Sequence, residues 1–327
     1  PLFPETEAGS GLAYGFNRAK LAWYRIDDIF YGSNSPSNIT ADDRSRPYAR
    51  RITEQEVFPN KELAAGQTTN IYELNLAYYP SERGPYNYDV APSAYSAGIG
   101  SDGLLNNPAS RWGGIMRKLD YTDFETQNIE TIEFWLMDPF IEEPNHTGGK
   151  LYFNLGDISE DILRDGRKSY ENGFPTNGEV NNIDTTIWGR VPTLQALVNA
   201  FDNDEAARKY QDIGYDGLTS DDEVSFFETY LADLAATYGT DSPVYQAALV
   251  DPANDDYTYF RSTKWDNEDV KINDRYKFFN NPEGNSPVSA DNTEGYTTAA
   301  TSNPNVEDIN RDNTLSEAEN YYEYSID

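Results

Sequence analysis

The first part of the chain alternates apolar and polar positions in a β-type pattern. In "TNIYELNLAYY" (69–79) the alternation predicts a strand whose apolar face is formed by Tyr72, Leu74, Leu76 and Tyr78. We interpret this segment as a half-buried strand of a sandwich. A strand of a closed membrane barrel is the less favoured alternative, because one alternating segment is a weak signal.

Residues 111–157 carry the strongest β signal. "NIETIEFWLMDPF" (128–140) and "GGKLYFNLGD" (148–157) are rich in β-branched and aromatic residues and are bounded by Pro, Gly and Asn. The spacing predicts two antiparallel strands joined through "PNHTGG", as in a jelly-roll sandwich.

The period of the pattern changes in the second half. "TLQALVNAF" (193–201) and "SDDEVSFFETYLADLAATYG" (220–239) are predicted to be helical, the second with apolar residues at spacings of three and four: Val224, Phe227, Leu231 and Leu234. Ser220 and Glu223 form a capping-box pattern at its start, and Gly239 is the expected stop. After Val250 the chain returns to loops rich in Asp, Asn, Pro and Gly.

These patterns predict a mainly β protein with a helical insertion, of the α+β class. The expected architecture is a jelly-roll-like antiparallel β-sandwich with long Asp/Asn/Gly-rich loops. Residues 1–185 form the β-rich domain, residues 186–250 the helical insertion, and residues 251–327 a loop-rich β segment that carries a calcium-type loop.

The composition narrows the possible functions. With 25 Tyr and 15 Phe the chain has too many aromatic residues for a disordered acidic protein. Its formal net charge of −31 repels nucleic acid and anionic lipid and attracts cations. The absence of cysteine excludes disulfides and thiolate ligands. No apolar run of helix-spanning length and no signal-peptide pattern occur, and the strand-like end "NYYEYSI" leads us to expect a fragment of a longer protein.

The last twenty residues hold a candidate calcium loop. Between Asp308 and Glu319, oxygen-bearing side chains recur at the six positions that ligate calcium in an EF-hand-type loop. Position 6 is Asn313 where Gly is usual, and Asn is the next most tolerant residue for a left-handed turn. Because the following segment is strand-like, we expect a structural Ca²⁺ site rather than a sensor. The predicted ligands are Asp308, Asn310, Asp312, Thr314, Ser316 and Glu319.

A weaker loop of the same type lies at "DIGYDGLTSDDE" (212–223). Its predicted ligands are Asp212, Asp216, Leu218 through its carbonyl, and Glu223, but Gly214 has no side-chain ligand for position 3. Glu223 also belongs to the capping-box pattern, so that metal ligation and helix capping compete for one side chain.

Catalytic patterns are sparse. His146 is the single histidine and lies in a predicted exposed turn, which disfavours a Ser-His-Asp triad and excludes a histidine-rich zinc site. Among 56 acidic residues, chance pairs of the kind that glycosidases use are abundant. Five tryptophans are candidates for a sugar-stacking platform or for the core. We therefore predict no catalytic residues and no organic cofactor.

Several stretches together resemble one family. "NPASRWGGIMRKLDYTDFETQNIETIEFWLMDPF", "GGKLYFNLGDISEDILRDGRKSYENG", "QDIGYDGL", "DYTYFRSTKWD" and "EDINRDNTLSEAENYYEY" are similar, in this order, to the SprA/Sov family. That family is the outer-membrane translocon of the type IX secretion system, linked to gliding motility. The resemblance implies a piece of a large protein-conducting barrel that works with a PorV-like barrel partner, a plug protein and secreted cargo proteins, and it carries over no catalytic residues.

Three hypotheses follow from the residues and the resemblance. The favoured one is a non-catalytic structural domain of the translocon, a cap or soluble-side insertion in an outer-membrane complex, in contact with the rest of the barrel and not with nucleic acid. The alternative is a calcium-dependent carbohydrate-binding β-sandwich, and the third is a glycosidase.

Overall fold

The computed structural model describes residues 13–301 and 303–326, apart from residues 68, 122, 169, 195–199 and 287–300. The strands in these ranges are β1 (Lys20–Tyr24), β2 (Ile52–Thr53), β3 (Asn70–Ile71), β4 (Asn75–Tyr79), β5 (Leu151–Asp157), β6 (Ile183–Thr185), β7 (Arg190–Pro192) and β8 (Asn320–Ile326). The α-helices are α1 (Ala41–Ser45), α2 (Glu54–Val57), α3 (Glu205–Arg208), α4 (Ser220–Phe226), α5 (Glu228–Tyr238), α6 (Pro243–Val250) and α7 (Thr263–Asn267). Short 3₁₀ helices cover Ala13–Asn17, Asp28–Tyr31, Pro108–Ser110 and Asn273–Tyr276.

The strands pair two by two. Four antiparallel sheets, β1–β4, β2–β3, β5–β8 and β6–β7, account for the strands of the described ranges. The mixed α and β class is therefore confirmed, but the structure holds more helix than strand and is not mainly β. A jelly-roll sandwich, which needs two larger sheets packed face to face, is not found among these residues. The alternating segment 69–79 supplies β3 and β4, and β4 pairs with β1.

The prediction of a strand at 128–140 is wrong. Residues 128–140 form no ladder in the structure, and residues 129–139 are exposed. The strand predicted at 148–157 is present as β5. It pairs with the distant β8, with Leu151 opposite Ile326. A strand is defined by its partner's hydrogen bonds, and the local pattern of 128–140 does not reveal which segment supplies them.

The predicted helix 220–239 is present as two helices. A non-helical Phe227 separates α4 from α5, and α5 ends at Gly239, whose φ of 87° is left-handed. The predicted capping box is wrong, because the helix begins after Thr219 without a side-chain cap and Glu223 is buried instead. The prediction at 193–201 falls largely on residues 195–199, outside the described ranges.

Two larger hydrophobic cores, besides a smaller cluster around Tyr14 and Trp188, lie within the described ranges. The first packs α4, α5 and α6 against earlier loops, and includes Val90, Ile99, Leu105, Phe227, Leu231, Leu234 and Val244. The second joins β1 to the 260–279 region, where the rings of Tyr24 and Tyr276 stack with centroids 4.1 Å apart. In the described ranges, no helix has the length and apolar character needed to cross a membrane.

Candidate metal centre

Three carboxylates meet in the interior beneath the helical region. Asp216 lies in the loop before α4, Glu223 on α4, and Asp255 in the loop that follows α6. Each offers one oxygen, and these three oxygens lie within 4.8 Å of one another. The residues are only 6%, 0% and 0% exposed, respectively, so that solvent does not separate their charges. We name this group the buried carboxylate cluster.

Each carboxylate of the cluster is held by one backbone N–H group. The amide of Leu218 donates to Asp216 Oδ1 at 3.0 Å, that of Ala253 to Glu223 Oε2 at 2.7 Å, and that of Tyr215 to Asp255 Oδ2 at 3.1 Å. The second oxygen of each group is buried and receives no hydrogen bond; these atoms are Asp216 Oδ2, Glu223 Oε1 and Asp255 Oδ1. Buried polar atoms normally have a partner, so three together in one place require an explanation.

The electrostatics of the cluster are unfavourable for three bare charges. Burial raises the pKa of Asp216, of Glu223 and of Asp255, and the neighbouring carboxylates raise each pKa further. Within the described ranges no Lys or Arg forms an ion pair with any of the three. The nearby Arg190 instead pairs with the exposed Asp222 at 2.6 Å. Neutrality therefore requires bound protons or a bound cation.

Two glycines make room for this arrangement. A Cβ at Gly214 would overlap Asp255 Oδ2, and a Cβ at Gly217 would overlap the carbonyl oxygen of Arg190. Gly217 also has a φ of 67°, which side-chain-bearing residues rarely adopt. Gly214 stands at position 3 of the predicted loop, where a side-chain ligand was missing. The carboxylate of Asp255 occupies that space from a different segment of the chain.

The structure divides the four predicted residues of this loop. Asp216 and Glu223 belong to the buried carboxylate cluster. Asp212 does not, and its carboxylate accepts instead from the amides of Asn285 and Ser286 at 3.1 and 3.0 Å. Leu218 packs in the first core, and its carbonyl accepts from the amide of Gly214 at 3.2 Å. Sequence reasoning missed Asp255, because it is far along the chain from the loop.

The predicted terminal loop folds into a turn in its first half. Asp308 accepts from the amides of Asp312 at 3.2 Å and Asn313 at 3.0 Å, and Asp312 accepts from the amide of Thr314 at 2.8 Å. The φ of Asn313 is 66°, so the left-handed turn expected at position 6 is present. Asp308 is buried, Ser316 and Glu319 are half-buried, and the others are exposed: Asn310, Asp312 and Thr314.

The carboxylates of the terminal loop do not form a cluster among the described residues. In the part of the chain that the structure describes, Asp308, Asp312 and Glu319 do not form a group within metal-ligand reach of one another. Glu160 instead accepts from the amides of Asn310 at 3.2 Å and Ser316 at 3.1 Å, which closes the loop against the body of the protein. Calcium binding by this loop stays a prediction.

A second acidic group was not predicted. Asp161, Asp165 and Glu307 also place one oxygen each within 4.8 Å of one another, with Asp161 and Asp165 half-buried. Asp161 accepts from the amides of Asp165 and Gly166, both at 3.1 Å. Burial raises the pKa of Glu307 to about 9. A sequence signal was available: "DILRDG" (161–166), "DIGYDG" (212–217) and "DINRDN" (308–313) share the pattern Asp-Ile-x-x-Asp followed by Gly or Asn.

A comparison with known protein families finds a match for the last part of the chain. Residues 229–327 match the family model SprA_N, described as a motility related/secretion protein. This stretch of the chain is similar to the SprA family. The resemblance noted in the sequence is confirmed here, and no curated protein matches the chain.

The SprA_N segment supplies residues to both acidic groups. It begins within α5 and contains Asp255 and Glu307, whereas Asp216, Glu223, Asp161 and Asp165 precede it. Each group thus brings together carboxylates from the SprA_N segment and from the chain before it. The family is described by motility and secretion and not by a reaction.

Proposed function

We propose that this chain is a non-catalytic structural part of the type IX outer-membrane translocon, a cap or soluble-side insertion that contacts the rest of the complex. The match of residues 229–327 to a motility and secretion family supports this role. One structural observation carries it further. The sheet β5–β8 and the segment 128–141 before it expose large apolar side chains, and we name them together the aromatic arm.

The aromatic arm has the character of an interaction surface. Trp135 and Tyr322 are each 76% exposed, and other exposed members are Ile132, Phe134, Leu136, Ile141, Tyr152, Tyr324 and Ile326. The rings of Phe134 and Phe153 lie 4.9 Å apart, which brings segment 128–141 against β5. Extended apolar surface of this kind marks protein–protein contacts, and in the described ranges β5 and β8 pair only with each other.

The occupant that fits this surface is another part of the translocon. A two-stranded sheet is marginal by itself and gains stability when further strands add to its edges. We propose that the rest of the translocon barrel, a PorV-like partner or the plug protein supplies that contact in an outer-membrane complex. The net charge of −31 disfavours nucleic acid as an alternative partner.

The placement of titratable groups supports a non-catalytic role. His146 is exposed, its ring stacks on Phe140 at 4.1 Å, and its Nδ1 accepts from the amide of Gly148. A glycosidase needs two carboxyl groups that face a cleft, whereas the buried carboxylate cluster is closed to solvent.

Site-specific cross-linking in cells that carry the whole translocon tests this function. A photoreactive phenylalanine analogue replaces Trp135 or Tyr322, and a control replaces Val250, which is 71% exposed but lies on the helical region. We expect cross-links from positions 135 and 322 to other translocon components and none from position 250. Equal capture at all three positions, or no capture at any, would contradict the proposal.

A further inference from the structure

In the described ranges no Lys or Arg forms an ion pair with the buried carboxylate cluster. Three carboxylates place oxygens within 4.8 Å of one another, and each keeps one buried oxygen without a donor. Asp251 and Glu283 add to the repulsion, since their negative charges also act on Glu223 and Asp255. A charged group that leaves water needs a partner of opposite charge to offset its lost hydration.

The geometry points to a Ca²⁺ ion bound in the interior by Asp216, Glu223 and Asp255. Oxygen is the sole donor type that these side chains offer, which suits a hard cation and not zinc or copper. Calcium bonds oxygen at about 2.3–2.6 Å, so oxygens bound to one ion lie at most roughly 5 Å apart, and the three carboxylate oxygens, all within 4.8 Å of one another, meet this condition. Magnesium usually keeps several waters, whereas these residues are almost completely buried.

The chain around the site is built to hold an ion in place. A backbone amide fixes one oxygen of each ligand, and this holds the second oxygen, which receives no hydrogen bond, in one orientation. Gly214 gives Asp255 the room to replace the missing side chain at position 3. Because the ligands come from the loop before α4, from α4 and from the loop after α6, the ion joins the SprA_N segment to the chain that precedes it. This site goes beyond the proposed contact role of the aromatic arm.

The first measurement compares the full chain in calcium and in chelator. The purified protein is analysed for bound metal by elemental mass spectrometry, and its thermal unfolding is followed in excess Ca²⁺, in excess Mg²⁺ and in EGTA. An ion that binds only the native state raises Tm, and we expect a rise of roughly 5 to 10 °C with Ca²⁺ and a much smaller rise with Mg²⁺. A chain that carries no calcium and unfolds at the same temperature in Ca²⁺ and EGTA would overturn the inference.

The variant Asp255→Asn assigns the effect to this cluster. Asn is nearly isosteric and removes one negative charge, so in EGTA we expect the Tm of the variant to equal or exceed that of the wild type. In Ca²⁺ the variant should lose the stabilisation and one equivalent of bound metal. Glu223→Gln should behave in the same way.

The terminal loop provides the matched control. Asp312→Asn alters an exposed residue of the loop 308–319 and leaves the buried carboxylate cluster intact. We expect Asp312→Asn to keep the calcium-dependent rise that Asp255→Asn loses. If the rise instead disappears in Asp312→Asn and persists in Asp255→Asn, the stabilising ion belongs to the terminal loop and the buried site is refuted.

Discussion

The helical region and the aromatic arm distribute their side chains in opposite ways. Around α4, α5 and α6 the apolar residues of the first core and three carboxylates are buried. In the arm, apolar residues such as Leu136 and Trp135 are exposed, at 56% and 76%. The helical region buries its apolar core residues within the chain itself, and it needs only a compensating charge for the three carboxylates. The aromatic arm carries apolar surface that a partner would bury. One chain thus combines a self-contained core with a surface suited to association.

The largest effect is expected from the same change made in both regions. Leu234 lies on α5 and is fully buried in the first core, so Leu234→Ala should lower the free energy of unfolding by about 2–5 kcal/mol. Leu136→Ala removes the same atoms from an exposed position and should change it by less than about 0.5 kcal/mol. Chemical denaturation of the isolated chain measures both. Similar losses for the two variants would mean that the arm is packed against the body of the protein.

The contrast also explains what the sequence could and could not predict. The apolar spacing of Leu231 and Leu234 is local and predicts a helix, and Gly239 predicts its end. Both are correct, although the structure divides the predicted helix 220–239 at Phe227. The capping-box pattern places Glu223 at the start of a helix, but its carboxylate accepts instead from the amide of Ala253, thirty residues further on. That partner is visible only once the chain has folded.

The same limit applies to the strands and to the candidate metal site. β5 was predicted from its own pattern, whereas its pairing with β8 joins residues far apart in sequence. Asp216 and Glu223 were predicted from loop spacing, but Asp255 completes the cluster from another loop. Periodicity and spacing report local structure, and neither encodes which distant segment comes into contact.

A second pair of variants tests the close packing beside the cluster. Gly214→Ala would force a methyl group against Asp255 Oδ2, so we expect a loss of about 1–3 kcal/mol in the free energy of unfolding. Gly114→Ala is the control, because a Cβ there has no neighbour within 4 Å. It should be neutral or slightly stabilising, since Ala restricts the unfolded chain. Denaturant titrations of both variants give the comparison, and equal effects would argue against the crowding at Gly214.

A buried carboxyl away from the cluster should make stability depend on pH. Glu171 is fully buried; its Oε2 accepts from the amide of Asn305 at 2.6 Å, and its Oε1 has no donor. Burial, with smaller contributions from the charges of Asp212 and Glu283, raises its pKa well above the ordinary value of 4.5. The folded state therefore holds this proton more tightly than the unfolded state, and the associated stability is present below pH 4.5 and lost as pH rises toward the folded pKa.

Glu171→Gln should remove this dependence. Because Gln has no proton to lose, we expect the variant to exceed the wild type in free energy of unfolding by on the order of 1 kcal/mol at pH 8, with the difference shrinking toward pH 4.5. Denaturation at a series of pH values provides the measurement. Glu130→Gln, in the exposed arm, is the control and should follow the wild type throughout. A difference for Glu171→Gln that stays constant with pH would contradict the assignment.

The smallest effect on stability should accompany the clearest effect on association. Trp135→Ser removes an exposed ring, so we expect the free energy of unfolding to change by less than about 0.5 kcal/mol, while capture of the chain by the other translocon components falls. Val250→Ser removes a side chain of similar exposure from the helical region and should leave capture unchanged. Denaturation of both variants measures the free energy of unfolding, and co-purification measures their capture by the other translocon components. If Trp135→Ser destabilises the chain and leaves capture intact, the ring serves the fold, and the aromatic arm is then part of the body rather than a surface for association.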